Sequence, residues 1–175
     1  MAILLPTVCV AKATDITLEL LHSMGVRALI FDVDNTLSGH GSQQPFEGAL
    51  EWTQKMAQNG IEMMIVSNNF QKRVEPFAQR FSLPFVSMAM KPFPVGYSRA
   101  VSAMGVRREE TAAVGDQVFT DILGANLSGI RSILVVPQGN ESVLRFGWRR
   151  ALEKPVREKA KRLGLWAERK EGTKK

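Results

Sequence analysis

Apolar runs and polar breaks alternate along this chain with two different periods. Residues 28–31, Ala-Leu-Ile-Phe, form a short unbroken apolar run that stops at Asp32. Residues 61–66, 111–114 and 132–136 repeat the pattern, ending at Ser67, at Gly115-Asp116 and at Pro137. Short apolar runs cut off in this way predict strands buried on both faces. Phe85-Val86 reads as one more, shorter strand. Between the strands lie stretches with helical spacing: 15–24, closed by Gly25; 45–59, closed by Gly60; 74–81; 95–104, closed by Gly105; and 118–127, followed by Ser128-Gly129. In the first of these Asp15 suits the N-cap, and Ile16, Leu20 and Leu21 share a face. Strands alternating with helices of about ten residues predict βαβ units. The fold class is therefore α/β, a doubly wound and mostly parallel sheet.

The C-terminal stretch has a different character. Leu152, Val156, Ala160 and Leu163 fall on one helical stripe with Trp166 near it, and Lys and Arg fill the other face. Proline fits only the first turn of a helix, so Pro155 predicts a helix that starts close to it. The net charge of +6 is uneven: residues 145–175 hold 12 basic and 4 acidic side chains, and residues 1–144 hold 11 and 13. This divides the chain into a main α/β domain, 1–144, and a basic C-terminal helix and tail, 145–175. A basic amphipathic helix either docks on its own domain or lies on an anionic membrane surface. Peripheral membrane contact is the expected use of the second option, and nucleic acid is not the expected partner.

With 175 residues there is room for one domain with a real core. The single cysteine, Cys9, excludes an internal disulfide framework, suits a reducing, cytoplasmic setting, and is expected to pack as a small hydrophobe. His22 and His40 stand apart, so no Cys/His zinc site is predicted. No apolar run approaches the roughly 20 residues of a membrane span. The apolar start, residues 1–5, is broken by Pro6 and lacks a basic lead-in, and is not read as a signal peptide.

The candidate chemistry sits at the strand ends. In an open α/β sheet, ligands bind in the crevice beyond the carboxyl ends of the strands. The first strand delivers Asp32 and Asp34 there, the second delivers Ser67 and Asn69, a following loop delivers Lys91, and a later strand delivers Asp116 and Asp121. Carboxylates at such an edge are costly to bury unless a cation pairs with them. Phosphoryl transfer through an aspartyl intermediate needs this set of parts. Asp32 is the candidate nucleophile and Asp34 the candidate acid and base. Ser67 and Lys91 can hold phosphoryl oxygens. Mg²⁺ prefers oxygen ligands, which Asp32, Asp116 and the backbone carbonyl of Asp34 can supply. Asp121 is expected to orient Lys91 or a metal-bound water, and Asn69 to bond Asp34 or the substrate. His40, Lys72 and Arg73 read as ordinary solvated side chains, and Thr36 as a turn residue.

The ordered set Asp32-Val-Asp34-Asn-Thr36-Leu37, Ser67, Lys91 and Gly115-Asp116 with Asp121 resembles the haloacid dehalogenase-like phosphatases. More narrowly, Phe31 to Leu37, Ser67-Asn-Asn, Lys91-Pro, the segment from Val114 to Gly124, and Ile133 to Pro137 look like the YqeG branch of subfamily IIIA. The resemblance implies a Rossmann-like fold, an Asp32 nucleophile, an Asp34 acid/base and magnesium as cofactor. That branch groups with phosphatidylglycerophosphate phosphatases, which implies a glycerophospholipid phosphate as substrate. A soluble sugar-phosphate or nucleotide phosphatase is an alternative, as is a non-catalytic RNA- or assembly-binding protein using the basic tail. Family caps insert after the first motif or between the second and third. Neither gap here, 37–67 or 69–91, leaves room for a cap domain, so an open site is predicted.

Overall fold

The computed structural model describes residues 2–138 and 143–167, and the last residues of the basic tail, 168–175, lie outside them. Six strands run in chain order: β1 Val8–Val10, β2 Ala28–Phe31, β3 Glu62–Val66, β4 Phe85–Val86, β5 Thr111–Gly115 and β6 Arg131–Val135. All neighbours pair in parallel, in the order β1-β6-β5-β2-β3-β4. Phe31 is level with Ile65 on one side and Val114 on the other, so β2, β3 and β5 finish at the same edge. The chain runs from β2 outward to β4 and then returns to β5 on the far side of β2. The strand order therefore reverses at β2, where such sheets open a crevice.

Strand residues alternate between two apolar faces, as a fully covered parallel sheet requires. Leu29, Phe31, Met63, Ile65 and Val114 face Trp52, Met56 and Phe77. These last come from α2, Ala49–Gln58, and α3, Gln71–Phe81, with α1, Leu18–Ser23, on the same side. Ala28, Ile30, Met64 and Val66 face Tyr97, Ala100 and Val101 of α4, Val95–Met104, and Ala125 of α5, Leu123–Leu127. Trp52 packs edge-on against Phe31 at 5.7 Å between ring centroids, and its Nε1 donates to the Ile16 carbonyl at 3.0 Å. Among the described residues no domain interrupts the path from the Asp34 turn to α2, or from β3 through α3 and β4 to Lys91.

Several boundaries differ from the sequence expectation. The N-cap of α1 is Thr17, whose Oγ1 accepts from the Leu20 amide at 3.2 Å, while Asp15 caps the preceding turn by accepting from the Lys12 amide at 3.2 Å. The helix expected over 45–59 begins at Ala49, and the one expected over 118–127 opens with a π-helical turn, Val118–Ile122, before α5. The edge strand β1 was not anticipated.

The largest difference is α6, Val143–Arg162, which passes through Pro155 instead of starting there and crosses the expected 144/145 division. Pro155 and Ala151, whose carbonyl loses its helical partner, are both exposed, so water replaces the missing bond. The expected stripe is divided: Val156 and Ala160 pack with Cys9, Val118, Ile122 and Leu134, whereas Leu152 and Leu163 are exposed. Beyond α6 the chain runs beside β1, with the Cys9 amide donating to Leu165 and the Ala167 amide donating to Cys9.

Candidate active site

The site is built at the shared edge of β2, β3 and β5. Asp32 continues the ladder one residue past β2, its amide donating to the Val114 carbonyl at 3.0 Å. The chain then turns sharply. Leu37 and Ser38 amides return to the Val33 carbonyl, and Asn35 takes a left-handed backbone, φ 59°, which asparagine tolerates. This turn sets Asp34 apart from Asp32. One oxygen of Asp34 accepts from the Gly41 amide at 2.9 Å and from Arg73 at 2.6 Å, and the other accepts from Asn69 Nδ2 at 2.9 Å. His40 Nδ1 lies 3.7 Å from the first oxygen. Ser67 follows β3 and its Oγ accepts from the amide of Asn69 at 3.2 Å.

Lys91 is buried at the centre. Its ammonium lies 2.6 Å from Asp32 Oδ1 and 2.7 Å from Asp121 Oδ1. Asn68 fixes its backbone from both sides, accepting from the Lys91 amide at 2.7 Å and donating to the Lys91 carbonyl at 3.0 Å. Asp121 is set by the π-helical turn, and its second oxygen accepts from the Gln117 amide at 3.1 Å. That approach requires glycine at position 115, because a Cβ there would overlap the Asp121 carboxyl group. Gly124 admits Tyr97 and Pro92, which a Cβ would meet at 2.7 and 3.1 Å.

Asp116, at the end of β5, is fully buried. One of its oxygens pairs with Arg150 from α6, whose guanidinium also reaches the Asp116 carbonyl at 2.9 Å. Glu153, one turn on, joins Arg150 at 2.8 Å and Arg157 at 3.2 Å and caps the π-helical turn by accepting from the Val118 amide at 2.9 Å. The other Asp116 oxygen, Oδ1, is buried without a hydrogen-bond partner. Asp32, Asp116 and Asp121 each place a carboxylate oxygen within 4.8 Å of the others. Converging carboxylates with an orphaned oxygen fit a hard divalent cation.

The electrostatics follow from burial. It pushes the Asp32 carboxyl up to about 6 against the pull of Lys91. Asp116 is raised to about 8, by burial first and the Asp121 charge second, with Arg150 opposing. Burial alone would lower Lys91, yet Asp121 and Asp32 hold it well above its usual range. The ammonium is therefore permanently charged beside the nucleophile candidate. Carboxyl groups raised by burial are those whose ionised form gains most from a neighbouring cation.

The seven candidate site residues, Asp32, Asp34, Ser67, Asn69, Lys91, Asp116 and Asp121, stand at this edge. Asp32, Lys91, Asp116 and Asp121 share one cluster, and Asp34, Asn69 and Ser67 form a second beside it. Asp121 pairs with Lys91, and Asn69 with Asp34. Thr36 does not fix the turn through its hydroxyl, which is buried and unpaired. Arg73, read as a solvated charge, is instead joined to Asp34, and Arg150 and Glu153 were not anticipated at all. The signal for Glu153 was slight: it is one of two acidic residues, with Glu158, in a mainly basic helix.

A family model described as haloacid dehalogenase-like hydrolase matches residues 38–129, a span that begins just past the Asp34 turn and holds Ser67, Lys91, Asp116 and Asp121. The chain is 35% identical over 160 residues to the probable phosphatase YqeG of Bacillus subtilis, covering 91% of this chain and 93% of that one. Over a shorter stretch of 61 residues it is 41% identical to a phosphoserine phosphatase of Thermus thermophilus, 33% of this chain and 24% of that one. Among solved structures, the cobalt-bound deoxy-D-mannose-octulosonate 8-phosphate phosphatase of Haemophilus influenzae has a TM-score of 0.54 at 13% identity, over 71% of this chain and 75% of its own. NagD from E. coli K-12 has 0.55 at 14% identity, over 69% and 91%. These two likenesses concern the fold.

Proposed function

The chain belongs to the haloacid dehalogenase-like hydrolases and is a phosphatase, and from that premise we propose that it hydrolyses a glycerophospholipid phosphate, such as phosphatidylglycerophosphate, through an aspartyl phosphate on Asp32 with magnesium as its cation. The observation that carries the chemistry is the buried cluster: Asp32 and Asp121 held on one lysine, with Asp116 beside them.

Phosphatases of this family depend on a divalent cation. The orphaned Asp116 Oδ1 and the all-oxygen donor set fit one. Asp32, Asp116 and the Asp34 carbonyl would hold it, and when bound it supplies neutralising charge to the phosphoryl oxygens. Lys91 occupies Asp32 Oδ1, which leaves Oδ2 to attack phosphorus. As the new P–O bond forms, the bond to the alcohol breaks, and Asp34 gives its proton to the departing oxygen. Water then attacks the phosphoryl group, Asp34 takes its proton, and phosphate leaves Asp32. Ser67 and Lys91 hold the phosphoryl oxygens through both steps.

Support for a lipid substrate comes from the open site and from α6. That helix exposes Leu152 beside Lys154, Lys161 and Arg162, and the turn after it exposes Leu163, a mixture suited to an anionic membrane surface. Among the described residues no helix is long and apolar enough to cross a membrane, so the contact proposed is peripheral.

The test is phosphate release with Mg²⁺ from phosphatidylglycerophosphate in mixed micelles, compared with p-nitrophenyl phosphate and a panel of sugar phosphates and nucleotides. Strong preference for the lipid is expected. Turnover of the small esters alone would keep the chemistry and remove the lipid. Inactivity on every ester, with Mg²⁺ bound, would remove the phosphomonoesterase reading.

A further inference from the structure

We propose that Arg73 determines the specificity of this site by binding a second anionic group, a phosphodiester or a carboxylate, on the alcohol half of the phosphomonoester. The inference rests on the phosphomonoesterase reading above.

The two cations nearest the carboxylates are divided between them. Lys91 is buried against Asp32, on the side of the attack, and Arg73 lies against Asp34, on the side of the departure. Their surroundings differ in kind. The Lys91 side chain is 3% exposed, that of Arg73 is 37% exposed, and Asp34 is 10% exposed. Arg73 thus stands at the rim with one nitrogen on Asp34. Among the described residues its other guanidinium nitrogens donate to no protein group. A guanidinium has donors enough to hold Asp34 and a planar anion together.

The rim around it is built, not loose. Arg73 is in the first turn of α3, its amide donating to the Phe70 carbonyl at 3.0 Å. Its own carbonyl accepts from Gln43 Nε2 at 3.0 Å, which ties α3 to the loop after the Asp34 turn. In that loop a Cβ on Gly41 would lie 4.0 Å from both terminal nitrogens of Arg73, so the guanidinium runs alongside the backbone there. The neighbouring Lys72 is exposed and makes none of these contacts.

A leaving oxygen must come to Asp34 to receive its proton. The next atoms of the same alcohol then pass beside Arg73, whatever the alcohol is. A neutral alcohol leaves the guanidinium in water with Asp34. An alcohol that carries its own phosphodiester or carboxylate presents that charge to it, and a bidentate pair becomes available. Lysine in the same place could supply charge but not the planar fork.

The experiment measures kcat and KM with Mg²⁺ for three phosphomonoesters: glycerol 3-phosphate, whose alcohol is neutral; deacylated phosphatidylglycerophosphate, whose alcohol holds a phosphodiester; and 2-phosphoglycolate, whose alcohol holds a carboxylate. Wild type is expected to favour at least one anionic alcohol by about tenfold in kcat/KM, mostly through KM, the size of an ionic hydrogen bond at a half-exposed site. Which of the two is favoured identifies the anion. In Arg73→Met the ratio should fall to about one, and Arg73→Lys should retain part of it.

Equal handling of all three by wild type, or an equal loss on all three in Arg73→Met, overturns the proposal; the latter marks Arg73 as a support for Asp34 alone. A second measurement needs no turnover. Calorimetric titration of wild type and Arg73→Met with glycerophosphoglycerol and with glycolate should show the favoured anion about tenfold weaker in the variant. Equal binding overturns the proposal. A difference in binding with no hydrolysis of any ester removes the phosphomonoesterase reading and leaves the anion site standing.

Discussion

Metal-free protein is expected to lose stability as the pH rises from about 5 to about 8. Burial raises Asp116 to about 8 and Asp32 to about 6. In the unfolded chain both carboxyls shed their protons near pH ~3.9. Between those values the native state holds protons that the unfolded state has released. Stability from these groups is therefore complete below the unfolded value and is lost as the pH climbs through the folded ones. Each group contributes about 1.4 kcal/mol per pH unit across its window. Asp116 alone gives an upper bound of about 4 kcal/mol between pH ~5 and ~8, and coupling to its neighbours brings the expected loss to about 2–3 kcal/mol. Asp32 adds to the acid end of the window. The assay is urea unfolding with EDTA at several pH values, for wild type and Asp116→Asn. Midpoints should fall with pH in wild type at constant slope against urea, and in the variant only the smaller acid-end fall from Asp32 should remain. Saturating Mg²⁺, at about 100 times its Kd, should restore about 2.7 kcal/mol, with a larger gain at the higher pH because the ligands must be ionised to bind. A metal-free wild type whose stability stays level or rises over this range would refute the reasoning, as would an equal fall in Asp116→Asn.

Three further outcomes are expected. Asp32→Asn should lower phosphate release by at least about a thousandfold, since the nucleophile is gone, while near-UV circular dichroism stays native. Gly115→Ala should cost about 1–3 kcal/mol in urea unfolding and weaken Mg²⁺ binding by calorimetry, because the new Cβ displaces Asp121. Co-sedimentation with anionic liposomes should fall steeply as salt is raised, since α6 attracts the surface by charge; binding indifferent to salt would contradict that role.

Much of this architecture is written locally. The strands β2, β3, β5 and β6 are buried on both faces, so they read as apolar runs, and the first three each lead into a polar residue of the site. Asp32, Ser67 and Asp116 were legible for that reason alone. Val8–Val10 is too short to show a period, and nothing near it signals a partner more than a hundred residues away. Pro155 misled because its steric cost depends on which way the helix faces, and at an exposed position water carries the lost bond. Arg73 and Arg150 escaped for a related reason. A long cation on an amphipathic helix looks the same whether it meets solvent or a carboxylate, and their partners Asp34 and Asp116 are 39 and 34 residues distant. Asp121 was placed by its spacing from Asp116, but the π-helical turn that aims it at Lys91 has no signature in composition.

The pairing of β1 with β6, and of Cys9 with the segment after α6, sets an order of events during synthesis. A ribosome releases the chain from its N-terminus, so the first strand emerges long before the strand it lies against. The central strands can dock while translation continues, but Val8–Val10 must wait for Arg131–Val135, and Asp116 must wait for Arg150. A nascent chain halted before α6 carries a buried carboxylate with its guanidinium still inside the ribosome, and the hydrophobic seat of Val156 and Ala160 open to solvent. Catalytic competence is thereby reached only after α6 has emerged, and chains terminated before it would be conspicuous to proteases before they could turn over a single ester.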